Sequence, residues 1–485
     1  MKFFINTSNK VYKKKRNKKR FQFKRTYILY IFITWLVLTV ASFLVREYIS
    51  NYYFHLQMNN INIDDKQRIL IFAPHCDDET LSSAGVIQRA IANGSEVKVV
   101  VMTNGDGFTR AVGQNTGKIR LKPYDYIEFG YRRQKETIHA LEDLGLERNN
   151  IIFLGYPDRG LRYLWEKYFN SKNPYLSSLT RTTRSPYNNS YQKNVEYKGI
   201  NVVNNIESII SSYKPDLIIY PYSRDQHPDH WATSAFVKFT LLKMDYKTTE
   251  LQYLVHRGDW PTPFGKRTNM FLVPPFKLAF TDTTWVQFPL NNELLTKKMD
   301  AIYDYNSQVR VMRSFLEAFI RQNELFSYLP NITAVRYQGD DIFLDKYKVL
   351  SEPNKDSIPL IFESGADIDG IFIAHNEQNY YFGIKMLGST KRLVDYYIHA
   401  RLFNRNKYIG RIYIRVTPDK IILDKTLTDK KFTLLGTKIQ RNKEFLKLIV
   451  PKKDFLNADK IFISLRTEIL GRQFDRSAWR VVEFR

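Results

Sequence analysis

The sequence predicts an α/β fold built on a doubly wound, mostly parallel sheet, preceded by one transmembrane helix and followed by a β-sandwich. Three observations predict it. Between residues 67 and 330, apolar runs of strand length alternate with amphipathic helical stretches. A stretch of nineteen uncharged residues, 27–45, follows a basic tail. From about residue 355 the chain turns to short β-prone runs separated by turns.

The elements follow in chain order. Eleven of the first 25 residues are Lys or Arg, and no acid occurs before Glu47. Residues 1–26 read as a basic tail. The run "YILYIFITWLVLTVASFLV" at 27–45 is long enough, at about 1.5 Å per residue, to cross a bilayer core. Tyr27, Tyr30 and Trp35 add aromatics to it. A buried core helix and a cleaved signal peptide are the alternatives. The length of the run and its poor cleavage site favour a single-pass anchor. The basic end then stays in the cytoplasm and everything beyond residue 46 is extracellular. Residues 46–66 read as a polar stalk.

From 67 to 330 the pattern is strand "RILIFAP", helix "ETLSSAGVIQRAIANG", strand "EVKVVVMTNGD", helix "YIEFGYRRQKETIHALEDLGL" and strand "IIFLGYPD". Then come helix "INVVNNIESIISSY", strand "DLIIYPY", a helix from Asp229 to Met244 and strand "LQYLVH". Two insertions, at roughly 107–126 and 159–199, interrupt the alternation, and 291–327 reads as paired helices. Residues 331–354 read as a linker, and 355–485 as the sandwich.

Composition narrows the classes of function. The net charge is +25, of which 14 remain outside the first 25 residues. For an exported chain this excludes nucleic acid and points to anionic surface glycan or lipid headgroups. Cys76 is the single cysteine, so no intrachain disulfide forms.

In a Rossmann-like sheet, ligands gather beyond the carboxyl ends of the strands. "HCDDE" follows the first strand, "GD" the second, "PD" the third and "SRDQHPDH" the next. Adjacent acids repel unless a cation inverts the local electrostatics. His75 and Asp78, three apart on one turn, supply an imidazole and a carboxylate, and "QHPDH" at 226–230 offers a third ligand. Alone, "HxDDE" is also an acidic helix start, and "HPDH" a Pro-opened one. The two together, each just after an apolar strand, favour metal chemistry.

With these motifs the span 68–330 resembles the LmbE/PIG-L deacetylases, zinc-dependent N-deacetylases of N-acetylglucosamine conjugates. The resemblance rests on "PHCDDETLSSAG", "HPDHWAT", "LGYPD" and the spacing of Arg133, Glu136, Ala140, Leu144 and Gly145. It implies His75, Asp78 and His230 as metal ligands for Zn2+, although an N/O set also admits other divalent ions. It implies Asp77 as general base toward the attacking water. His227 would be a protonated stabiliser of the oxyanion, and Arg133 and Asp158 sugar contacts. Cys76 stands where the family commonly has proline, and a small buried thiol is expected there.

The expected function is membrane-anchored N-deacetylation of a surface polysaccharide or lipid-linked glycan. The alternative is a surface glycan-binding protein whose deacetylase core no longer turns over. The runs "IDGIFIAHNEQNYYFGIKM", "FLKLIVPKKDF" and "DRSAWRVVEF" resemble carbohydrate-binding sandwiches of the family 9 or DOMON-like type. His139, His375 and His399 are read as surface or packing residues, and for His256, which follows a strand, the pocket wall is the second reading beside packing. Glu79 is expected to orient the turn, and Asp106 to meet a substrate hydroxyl or hold a turn.

Overall fold

The computed structural model describes residues 16–353, 358–389, 393–417, 420–443 and 445–485. Met58–Arg485 forms one compact unit, and the N-terminal segment is a separate one. In that segment, helix α1 runs over Arg16–Gln57. The first fifteen residues of the expected tail lie outside the described residues. Among the described residues no helix is long and apolar enough to cross a membrane. The transmembrane helix expected at 27–45 is therefore not found among the described residues. Side chains 27–39 of this helix are exposed.

The larger unit opens on an eight-stranded sheet with β1 (Asn59–Asn60), β2 (Arg68–Ala73), β3 (Glu96–Thr103), β4 (Ile151–Tyr156), β5 (Leu217–Pro221), β6 (Thr249–Tyr253), β7 (Thr284–Pro289) and β8 (Asn323–Tyr328). Their order is β1-β7-β8-β6-β5-β2-β3-β4. The pairs β2/β3, β3/β4, β2/β5 and β5/β6 are parallel, while β8 runs antiparallel to β6 and β7. The helices are α2 (Asp78–Ala92), α3 (Thr109–Thr116), α4 (Pro123–Asp143), α5 (Leu161–Glu166), α6 (Gly199–Tyr213), α7 (Pro228–Met244), α8 (Asn292–Asp304) and α9 (Asn306–Glu317).

Alternation along the strands explains the layering. In β2, Ile69, Ile71 and Ala73 join a core with α2, α4 and α8, while Leu70 and Phe72 join another with α6 and α7. The chain runs outward from β2 to β4 and returns to β5 on the other side of β2. The strand order therefore reverses between β2 and β5. Their carboxyl ends carry "HCDDE" and "SRDQHPDH", which is why motifs 150 residues apart meet.

One local reading is corrected, and one strand had no reading in the sequence. Helices end at Glu317, and "NELFSY" is strand β8, not helix. Six residues of mixed polarity are too few for periodicity to decide. "TWVQFP" is likewise a strand, β7, unread in the sequence.

β8 also carries Glu324 into the core. Its side chain and that of Lys298 are fully buried, 2.8 Å apart. Glu324 accepts from the backbone N–H of Gly85 and Val86, and Lys298 donates to Leu81 O. This clamps α8 and β8 to the middle of α2. Glu324→Ala leaves Lys298 charged, buried and unpaired, an expected cost of about 3–5 kcal/mol. Urea unfolding followed by fluorescence checks it.

The C-terminal region is β-rich. Its strands are β9 (Ile332–Arg336), β10 (Lys348–Ser351), β11 (Ile368–His375), β12 (Asn379–Met386), β13 (Val394–Asn404), β14 (Lys407–Val416), β15 (Ile421–Leu423), β16 (Lys438–Arg441), β17 (Phe445–Pro451), β18 (Lys460–Ile469), β19 (Arg472–Arg476) and β20 (Arg480–Phe484). β9 pairs with β20 on one side and β11 on the other, joining two halves. Both halves feed one core, with Ile373, Ile384 and Leu448 from one and Ile398, Ile412 and Ile463 from the other. Residues 331–354, expected as a linker, thus supply β9 and β10 to this region. Phe403, Phe462, Trp479 and Val481 enter the core that holds α6 and α7, so the two regions pack as one body.

Candidate active site

The loop after β2 is pinned where Thr103 donates both its N–H and its hydroxyl to Pro74 O. The chain then turns sharply into α2. Asp77 takes φ +140°, a strained conformation for a residue with a side chain. Its carboxylate does not cap α2 but meets the Arg133 guanidinium, Nη2 to Oδ2 at 2.9 Å. Arg133, from α4, also donates to Cys76 O and to Gly105 O. Gly105 has φ +60°, and a Cβ there would lie 1.7 Å from Arg133 Nη1. Glu79 accepts from Asp77 N–H and from the Tyr305 hydroxyl, which holds the turn as expected.

Three donor atoms converge beside Asp77. His75 Nδ1 lies 3.2 Å from Asp78 Oδ2, His230 Nε2 lies 3.1 Å from the same oxygen, and the two nitrogens are 3.3 Å apart. A tetrahedral cation with bonds of about 2.0–2.1 Å has ligand–ligand edges of about 3.3 Å. The triangle matches one face of that tetrahedron. Asp78 Oδ1 is buried without a hydrogen-bond partner among the described residues. His75, Asp78 and His230 therefore fit a divalent ion. His256 completes this group of potential ligands, its ring 4.6 Å from that of His230.

The electrostatics agree. Burial opposes charge on His75, but the carboxylates of Asp158, Asp229 and Asp78 outweigh it and raise its pKa well above the ordinary value. Burial likewise lowers His230, yet Asp225 and Asp78 bring it up to about 9. A field that favours protons on both imidazoles also favours a cation between them. Burial raises Asp77 up to about 7 against the pull of Arg133, with Asp78 adding to the rise. That places its carboxyl in the range suited to a general base at neutral pH.

His227 sits in a field that opposes the expected charge. Burial and the charges of His75 and His230 push it down to about 3, which favours the neutral ring over the expected imidazolium. Its Nδ1 accepts from Asp229 N–H, which leaves the proton of the neutral ring on Nε2. Cys76 is fully buried, and burial pushes its thiol up, away from ligation.

The cleft holds about 220 Å³ and is lined by His75, Asp77, Arg133, Asp158, His227 and His256, with Phe108, Arg159, Gln308 and Met312. All seven expected residues are thus in or beside one site. Arg133, expected to contact sugar, spends its terminal nitrogens on the protein. Asp158 accepts from Gly107 N–H at 2.6 Å and faces His75 Nε2 at 3.5 Å. Asp106 accepts from the Tyr187 hydroxyl, a structural role. His139 pairs with Asp304 at the surface.

Two acids were not singled out in the sequence. Asp229 accepts from Arg159 and Leu161 N–H and lies 3.6 Å from His75 Nε2. Asp225 sits 3.1 Å from His230 Nδ1, and accepts from the backbone of His227, Val255 and His256. The signal was present as extra acids flanking "HPDH". Asp225→Asn weakens the orientation and basicity of His230, so metal affinity is expected to fall about 10–100-fold. Competition with a chromogenic chelator measures it.

Residues 70–240 match the family described as PIG-L: GlcNAc-PI de-N-acetylase. The N,N'-diacetylchitobiose deacetylase of Pyrococcus horikoshii, solved with an inhibitor, is similar at 18% identity over 54% of this chain and 83% of that one, with a TM-score of 0.33. The A40926 pseudoaglycone deacetylase is similar at 17% identity over 54% and 97%, TM-score 0.35. The 4-carboxy-2-hydroxymuconate hydratase of Pseudomonas putida is similar at 12% identity over 55% and 98%, TM-score 0.32.

Proposed function

We propose that the chain is a divalent-metal-dependent N-deacetylase that hydrolyses the acetamide of an N-acetylglucosamine-type sugar in a surface polysaccharide or lipid-linked glycan. The observation that carries the reading is the triangle of His75, Asp78 and His230 donor atoms beside Asp77, inside the span that matches a de-N-acetylase family. Zinc suits the two imidazoles and one carboxylate. When bound there, the ion supplies Lewis acidity that brings a water pKa to about 7.

The chain's own groups do the rest. Asp77 takes the proton from the water that attacks the acetyl carbon. Arg133 holds that carboxylate in line, and with Glu79 on its N–H keeps Asp77 from relaxing into a helix cap despite its strained φ. Neutral His227 offers Nε2–H to the oxygen that gains charge. As the C–N bond breaks, the proton held by Asp77 passes to the departing amine, and acetate and the free amino sugar result. The parallel-rich domain is read as Rossmann-like, and the β-rich region as a sandwich.

The N-terminal helix is read as a membrane anchor with its basic end in the cytoplasm and the site outside. Supporting it are the uncharged run 27–45, the basic residues before it and the exposed apolar side chains of Ile28, Leu29, Ile31, Phe32 and Trp35. Protease digestion of intact cells checks the topology. The sugar claim is tested by acetate release from N-acetylglucosamine oligomers beside an acyclic N-alkylacetamide. The oligomers are expected to react faster, and equal rates would indicate a general amidase.

A further inference from the structure

Where the β-rich region meets the site-bearing domain there is a hollow of about 560 Å³, larger than the catalytic cleft. One wall is Trp231, the residue after His230, with the Arg476 guanidinium stacked on its ring at 4.2 Å. Arg476 makes no side-chain hydrogen bond or ion pair among the described residues, and its Nη1 is buried without a partner. Gln473 Oε1, in the same hollow, is also buried without one.

The contrast with nearby cations is sharp. Arg466, which faces Arg476 across the β18/β19 pair, is held by Glu166 and Glu468. Arg224, in the same hollow, is held by Glu352 and Asp282. Burial and the like charge of Arg162 disfavour the Arg476 cation, and the carboxylates of Glu166 and Asp225 offset this only in part. Of the acids that line the hollow, Asp225, Asp259 and Glu352 are paired with His230, Arg257 and Arg224. A half-buried guanidinium with no carboxylate at ion-pair distance among the described residues is costly, a cost folded chains tolerate mainly at functional sites.

The hollow adjoins the cleft. Gln226 and Gly258 line the hollow, while His227, next to Gln226, and His256, two residues before Gly258, line the cleft. The two segments are tied by Gln226 N–H to His256 O and Gly258 N–H to Gln226 Oε1, both at 2.9 Å. A glycan crossing this narrow wall would place successive sugars on its two sides.

We propose that the hollow is a second sugar subsite, in which Arg476 binds an oxyanion, carboxylate or phosphate, carried beside the sugar being deacetylated, and Gln473 Oε1 accepts from a hydroxyl. The subsite makes the substrate an anionic N-acetylated glycan rather than a neutral one. The assignment of the neighbouring cleft rests on the deacetylase reading above.

The test is calorimetric binding to the full chain of three oligomers of equal length. One is a hyaluronan oligosaccharide, one an oligomer of N-acetylglucosamine phosphate, one a neutral chitin oligomer. An anionic oligomer is expected to bind at least about tenfold more tightly than the neutral one. Which anionic oligomer does so identifies the oxyanion. Arg476→Gln is expected to erase that preference while leaving neutral binding intact and the Tm unchanged or raised; Arg476→Lys restores part of it. The proposal is overturned if Arg476→Gln binds all three as the wild type does, or if it lowers the Tm and all three affinities together. Anion-dependent binding without acetate release would sink the deacetylase reading and keep the subsite. Acetate release without an anion preference would do the reverse.

Discussion

Asp77→Asn is expected to lower kcat for acetate release by about 10²–10⁴-fold while the chain still binds one equivalent of metal. The amide matches the carboxylate in shape, can still accept from Arg133, and adds no bulk at the strained backbone of residue 77. What it cannot do is take a proton from the attacking water. The ligand triangle is made by other residues, so metal content and turnover separate. Steady-state kinetics beside atomic absorption on the same sample measures both. Near-wild-type kcat with full metal occupancy would remove Asp77 from its role as base.

The second large effect is at Asp78, whose Oδ2 is the corner shared by both imidazoles. Asp78→Asn keeps an acceptor for His75 N–H, so the fold is retained. It deletes the single negative charge among the three ligands. Affinity for a divalent ion is expected to fall by more than about 100-fold, beyond the 10–100-fold typical of residues that act through a ligand. Activity should vanish with the metal and return in part at saturating ion. Titration with zinc followed by calorimetry reads the affinity directly. An unchanged affinity would mean the ion sits elsewhere, with His227 and Asp229 as the next candidates.

Much of this site was legible because strand ends are legible. "RILIFA" and "LIIYP" are apolar enough to fix β2 and β5, and the polar residues that follow them fall at the reversal of strand order. What sequence order could not supply was the direction of side chains. Arg133 reads as a substrate contact, but only packing shows that its nitrogens close on Asp77, Cys76 and Gly105. The charge state of His227 depends on its burial among other imidazoles, which no spacing reveals. Phe108, Gln308 and Met312 reach the cleft from elements whose patterns signal only packing. In the C-terminal region, the strand-rich texture was clear, but β9 pairs with strands distant in sequence and so looked like a linker.

The central claim is that a divalent ion at His75, Asp78 and His230 is required for hydrolysis of the sugar acetamide. The most direct measurement is acetate release from N-acetylglucosamine oligomers by the full chain, stripped with a chelator and then titrated with zinc. The account predicts no release from the stripped protein and recovery that saturates near one equivalent. Release that survives complete stripping, or a folded, metal-loaded chain that releases no acetate from any N-acetylated glycan, would contradict it.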